Sequence, residues 1–160
     1  MAVDMFLKIE GVKGESKDAK HPGETQVLAW SWGMSNSGTA HMGGGAGAGK
    51  VNVQDLSITK PLDAGSPDLM MATCNGKHYK KATLVVRKAG EKPLEYLKIE
   101  MDDVMITAVS TGGSGGEDTL TENVTLNFAN VKVIYKPQKA DGSGDADITF
   151  GWKIAANVKW

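Results

Sequence analysis

Apolar and polar residues alternate with a period of two along most of the chain, the signature of half-buried β-strands. Val3, Met5, Leu7 and Ile9 alternate with Asp4, Phe6, Lys8 and Glu10 and predict a first strand. A second runs from about residue 25 to residue 34. Leu28, Trp30, Trp32 and Met34 lie on one of its faces, and the smaller Val27, Ala29, Ser31 and Gly33 on the other. The first face suits a core; the second is lean enough for close contact or for water. Residues 51–59 predict a third strand, whose apolar parity switches between Val51/Val53 and Leu56/Ile58 and so places a bulge near Gln54-Asp55. Strands also fit residues 82–88, 94–101 and 104–111. A longer one over 120–135 changes parity between Phe128 and Val131, which again implies a bulge. At the end of the chain, Ile148, Phe150, Trp152, Ile154, Ala156, Val158 and Trp160 share one parity and predict a single last strand.

One helix is expected from about Ser66 to Cys74, with Ser66 as N-cap, Pro67 at the first helical position and Asp68 at the positive end of the dipole. Asn75-Gly76 supplies the stop. Roughly eight strands and one short helix define a mostly β fold class in a single domain over residues 1–160. The expected architecture is a closed β-barrel or two packed antiparallel-rich sheets, because closure removes exposed strand edges. Three loops remain: residues 17–24, the glycine-rich residues 35–50, and residues 136–146. A loop beyond about 12–15 residues needs a functional reason. Residues 35–50 are therefore expected to be a contact loop, with Ser35, Gly43, Gly44, Gly45, Gly47, Gly49 and Lys50 as its candidate residues.

Composition mainly excludes. Eighteen basic and nineteen acidic side chains give a formal net charge of −1, so no charge excess exists to hold nucleic acid or an anionic membrane. Cys74 is the sole cysteine, which rules out an intrachain disulfide and suits a reducing cytosol. The first residues lack the basic and apolar regions of a signal peptide, so export is expected to use no cleaved leader.

Several motifs invite chemistry and fail on context. Gly44 to Lys50 nearly spells a phosphate-binding loop, but Val51 replaces the required Ser or Thr and a strand follows instead of a helix. Gly112-Gly113-Ser114-Gly115-Gly116 matches a nucleophile elbow in form, yet no strand–turn–helix unit surrounds it, so a hairpin loop is expected. His21, His41 and His78 are far apart in the sequence and lack metal-ligand spacing. Glu100 and Asp102 share a strand face, with Asp103 beside them, and read as carboxylates at a strand end before a turn. Trp30, Trp32, Trp152 and Trp160 lie on apolar parities and are expected to pack in core or interface. No catalytic residue, metal or cofactor site is assigned.

Several blocks, taken in order, carry a resemblance. They are Leu28-Ala29-Trp30-Ser31-Trp32-Gly33-Met34-Ser35, the glycine loop ending at Gly49-Lys50, Val51-Asn52-Val53-Gln54-Asp55-Leu56-Ser57 and Leu69-Met70-Met71. Downstream follow Ser110-Thr111-Gly112-Gly113-Ser114-Gly115-Gly116-Glu117-Asp118 and Leu120-Thr121-Glu122-Asn123-Val124-Thr125-Leu126-Asn127-Phe128. Together they closely resemble Hcp, the haemolysin-coregulated protein family of bacterial type VI secretion systems.

The resemblance implies a phage tail-tube-like barrel that forms hexameric rings stacking head to tail into the expelled inner tube. It implies sheath and spike proteins as partners, and small effector proteins carried in the lumen. The implied location is the bacterial cytoplasm before firing and the exterior or a target cell afterwards. Ser31 matches the family's lumen-facing position, and Ala29 and Gly33 share its parity. Two rivals compete: a lone ligand-binding barrel, which would be a monomer, and a hydrolase built on Ser114, which would need a nearby histidine.

Overall fold

The computed structural model describes residues 3–42 and 49–160. Its strands are β1 (Val3–Ile9), β2 (Thr25–Gln26), β3 (Ala29–Ser31), β4 (Met34–Ser35), β5 (Asn52–Val53), β6 (Leu56–Pro61), β7 (His78–Lys88), β8 (Leu94–Gly112), β9 (Thr121–Tyr135), β10 (Ile148–Lys153) and β11 (Val158–Lys159). Helix α1 spans Ser66–Asn75, and a short 3-10 turn covers Ala40–Met42. All strand pairs are antiparallel: β9 joins β8, β8 joins β7, β7 joins β1, and β1 joins β2. The circuit returns through β3, which pairs with β6, and β6 pairs with β9.

Closure is made by the segment that was expected to be one strand over 25–34. Val27 donates its amide to Met5 on one side, and Leu28 donates to Thr59 on the other. The segment thus serves two neighbours before a second break separates β3 from β4. Its parity also differs from expectation: Val27 is buried while Leu28 is 52% exposed and Met34 42% exposed. Trp30 and Trp32 do pack against the core, and Trp32 Nε1 donates to the Gln54 carbonyl at 2.8 Å. The bulge expected near Gln54-Asp55 within one strand is instead a break between two strands: β5 pairs with β4 in a separate ribbon, and β6 joins the main sheet.

The core is apolar and dense, with Leu7, Leu56, Leu84, Met101, Val104, Leu126 and Val131 essentially inaccessible. Each such side chain contributes about 1.5–3 kcal/mol of transfer free energy. The parity change in β9 is real, and β7 and β8 share it. Buried positions switch from Tyr79 to Ala82, from Met101 to Val104 and from Phe128 to Val131. The ladder registers run unshifted through this kink, where Asp103 adopts φ 53. The turn expected at residues 102–103 is therefore a kink within one continuous strand, β8.

Two further expectations are corrected. The single last strand over 148–160 is a hairpin: Asn157, at φ 55, turns the chain so that β11 pairs back on β10. Ser66 is the first helical residue and not the N-cap, which is Gly65. The C-terminal stop is as expected, with Gly76 left-handed at φ 67, a conformation that costs glycine little.

Ser66 is drawn inward by a buried polar cluster. Lys60 and Glu122 face each other across the β6–β9 ladder, both wholly buried and ion-paired. Lys60 Nζ also donates to Asp63 and Ser66 at 3.1 Å each, and Ser66 Oγ donates to Glu122 at 2.6 Å. The ammonium thus spends its three donors on three acceptors, tying the first turn of α1 to the barrel wall.

Candidate functional site: a lean polar wall

Antiparallel ladders put directly paired residues on the same face of the sheet. The registers of β3, β6, β9 and β8 therefore define two rows running outward from Ser31 and Ala29. Ser31 pairs with Ser57, Ser57 with Thr125, and Thr125 with Ala108. Ala29 pairs with Thr59, Thr59 with Asn123, and Asn123 with Ser110. Ala29, Ser31, Ala108, Ser110 and Asn123 are exposed, while Trp30 between the first two is turned to the core. Small hydroxyls, methyls and amides thus form a wall across four hydrogen-bonded strands.

The wall organises itself by hydrogen bonds. Thr59 Oγ1 and Asn123 Oδ1 lie 2.7 Å apart with the threonine as donor. Asp55, at the start of β6, accepts from Thr107 Oγ1 at 3.1 Å and from Asn127 Nδ2 at 2.8 Å. It is the charged member of this set. Across the barrel the outer face is different: Glu100 pairs with Lys132, and Asp102 with Lys81 and Asn130. One side of the domain is lean, with the Asp55 carboxylate as the charge among these residues; the other is laced with both signs of charge.

Ala29 and Ser31 thus meet on one exposed face, as their parity predicted. Gly33 lies beyond β3 and is half-buried; its carbonyl accepts the Gln54 amide, and an added Cβ would sit 3.3 Å from Gln54 Oε1. Ser57, Thr59, Asn123 and Thr125 escaped the sequence reading. Alternation alone orients each strand but does not say which strands are neighbours.

In the contact loop, Ser35 belongs to the β4–β5 ribbon and pairs with Asn52, and Gly49 donates to the Ser37 carbonyl at 3.1 Å. Lys50 is exposed. Gly43, Gly44, Gly45 and Gly47 lie outside the described residues. Ser114 sits in the exposed loop joining antiparallel β8 and β9, where its carbonyl accepts the Glu117 amide. The hairpin reading holds there, since β9 and not a helix follows.

A second surface stands out at the other half of β9. Its first half is joined to β6 and its second half to β10, so the sheet branches. The core row Leu7–Leu84–Ile99–Val133–Phe150 follows the branch out of the barrel. Beyond the barrel its neighbours on that face are uncovered: Phe150 is 38% exposed, Tyr135 45% and Ile148 63%. The face that is buried core on β7 and β8 is open apolar surface on β10.

Comparison with known proteins adds the following. The family model described as type VI secretion system effector, Hcp, matches residues 6–135. Protein hcp1 of Pseudomonas aeruginosa is 64% identical over 161 residues, spanning 99% of each chain. The crystal structure of Hcp1 from Salmonella typhimurium superposes with a TM-score of 0.80 at 37% identity, covering 100% of both chains. A structure described as that of a type six secretion system protein reaches a TM-score of 0.94 at 28% identity, covering 99% of this chain and 100% of its own.

Proposed function

This chain belongs to the Hcp family of type VI secretion system proteins, and from that premise we propose that it is a structural tube subunit, not an enzyme. Copies associate head to tail into a closed hexameric ring, and rings stack into the tube expelled by the contracting sheath beneath the spike. The ring is held in the bacterial cytoplasm before firing and leaves with the expelled tube. Small effector proteins ride in the lumen.

The observation that carries the assembly is the branched sheet, whose core face runs uncovered onto Tyr135, Ile148 and Phe150. An apolar surface continuous with the core is stable in water only when something covers it, and a head-to-tail ring supplies a different patch of the next subunit. The β4–β5 ribbon carries the loop that includes Gly43 to Gly49. In this reading that loop reaches the adjacent ring.

The lean wall supports the carrier role. A lumen must hold cargo and still release it, so the wall should offer hydrogen bonds without deep apolar pockets or a charge of one sign. The rows from Ser31 to Ala108 and from Ala29 to Ser110 offer hydroxyls, amides and methyls. Small side chains also leave the bore wide. The test is co-purification of effectors with rings carrying Ser31→Gln or Thr125→Gln, alongside deletion of residues 43–49. We expect the two wall variants to form normal rings that lose at least one effector, and the deletion to keep effectors but lose stacking. Rings of both wall variants that retain and export every effector would overturn the lumen assignment.

A further inference from the structure

Phe6 breaks the alternation of β1. It points away from the core and is nevertheless buried, because the His21 ring lies over it at 4.5 Å between centroids, 14° from parallel. Glycine makes the covering loop possible: a Cβ on Gly14 would fall 2.4 Å from the Glu24 carbonyl oxygen. Backbone bonds from Gly14 to Gly23, from Gly23 to Ser16 and from Ser16 to Glu24, all of 2.8–2.9 Å, fold residues 14–24 into a compact lobe on the outer faces of β1, β7 and β8.

His21 is the pin of this lobe. Its Nδ1 lies 2.9 Å from Glu24 Oε2 and its Nε2 lies 2.6 Å from Glu95 Oε1 on β8, with the residue only 8% exposed. A neutral imidazole has one N–H and one lone pair, whereas a carboxylate only accepts. Both contacts are hydrogen bonds only if the cluster holds one proton more than a neutral ring and two carboxylates supply. Of the other charges around it, Arg87 and Lys98 are paired. Arg87 on β7 donates to Asp18 at 2.7 and 3.0 Å and to Asp4 on β1 at 3.0 Å, and Lys98 on β8 lies 3.5 Å from Glu95. Lys20 lines the adjoining cleft with Glu95 and Lys98.

We propose that residues 14–24 are a proton-dependent latch, closed over Phe6 while the His21–Glu24–Glu95 cluster holds its extra proton and open once that proton leaves. With the proton gone, a ring lone pair faces a half-buried carboxylate and the cation between Glu24 and Glu95 disappears. Opening uncovers Phe6 and the outer face of β1. The wall around Ser31 is built from other strands and stays as it was, so the latch changes the outside of the subunit independently of its bore. Burial pushes the Glu95 carboxyl up, but the hydrogen bond and charge of His21, with help from Lys98, outweigh this and hold it below its ordinary range. Glu95 therefore stays an ionised acceptor in mild acid, and closure is lost when the cluster's extra proton leaves.

Hydrogen exchange at the Gly14, Ser16 and Gly23 amides, followed by mass spectrometry on the assembled full chain from about pH 5 to 8, reads the latch directly. After correction for intrinsic rates, protection should fall by up to tenfold per pH unit where the proton leaves, the limit for a single linked proton. Glu95→Gln should flatten that dependence and keep the lobe protected, because an amide can satisfy a neutral ring nitrogen as donor or acceptor. His21→Ala should leave the lobe unprotected throughout. Wild-type protection that does not change over this range would overturn the proposal, as would a Glu95→Gln variant that follows the wild-type pH profile.

Discussion

Replacing Ile148 and Phe150 together with aspartate should dissolve the ring while leaving the subunit folded. Both residues sit on β10, outside the closed circuit of strands, at 63% and 38% exposure. Complete burial of such side chains is worth about 1.5–3 kcal/mol each. Scaling by the area still open gives about 1–2 kcal/mol for Ile148 and about 1 kcal/mol for Phe150. Adding Tyr135 on the same basis brings the surface to about 3 kcal/mol per seam. The double variant forfeits about two-thirds of this and must also desolvate two carboxylates, at a cost exceeding about 1 kcal/mol each. Since 1.4 kcal/mol is about tenfold in an equilibrium constant, association across one seam should weaken by at least about a hundredfold. Native mass spectrometry and sedimentation at one protomer concentration measure assembly, and circular dichroism checks the fold. The reasoning fails if the variant is folded and still forms rings at the wild-type concentration.

Three further outcomes follow from other parts of the molecule. Lys60→Met should cost about 3–5 kcal/mol in urea unfolding because Glu122 is left as an unpaired buried charge, whereas Lys60→Met with Glu122→Leu should recover most of that loss; a single variant costing under about 1 kcal/mol would show that the pair is not buried as described. The Arg87 guanidinium holds the Asp18 carboxyl well below the usual carboxylate range, against the opposing effect of burial, so this contribution is present above the ordinary value of 3.8 and is lost as pH falls through the lower folded value. Asp18→Asn should therefore loosen residues 14–24 in hydrogen exchange at neutral pH, and its difference from wild type should vanish in strong acid. Gly76→Ala should cost about 1 kcal/mol in thermal or urea unfolding, since the left-handed cap at φ 67 disfavours any side chain; an unchanged midpoint would refute the cap's contribution.

How far the sequence could be read depended on which force set each position. Alternation located β1, the core of β7 and β9, and the break at Gln54-Asp55, because a two-sided strand leaves a direct imprint on residue polarity. The same rule misplaced the last strand. Ile148 to Trp160 keep one parity, but Asn157 reverses the chain; Trp152 and Ile154 pack against the core, while Ile148, Phe150 and Val158 stay exposed on the branch. Asn157 was the available warning, as asparagine tolerates a left-handed backbone better than most residues. Parity also could not reveal that Val27 and Leu28 serve opposite neighbours, which is what closes the barrel.

At the site, Ser31 and Ala29 were legible from strand parity alone. Their partners Ser57, Asn123 and Thr125 were not, because neighbouring strands lie far apart in sequence and only the ladder joins them. His21 was passed over for a similar reason: one of its carboxylates, Glu95, is 74 positions away. Residues 17–24 read as an ordinary polar loop, since the apolar surface they cover belongs to Phe6 on another element. The buried pair Lys60 and Glu122 had no sequence signal beyond two charges on core parities.

Ring formation is the claim on which the rest depends, and negative-stain electron microscopy of the purified protein, with native mass measured on the same sample, tests it most directly. The account predicts hollow rings of uniform diameter with a mass equal to six subunits. A stable monomer over a wide range of concentration would contradict it, and would leave the open face of β10 and the lean wall around Ser31 without the role assigned to them here.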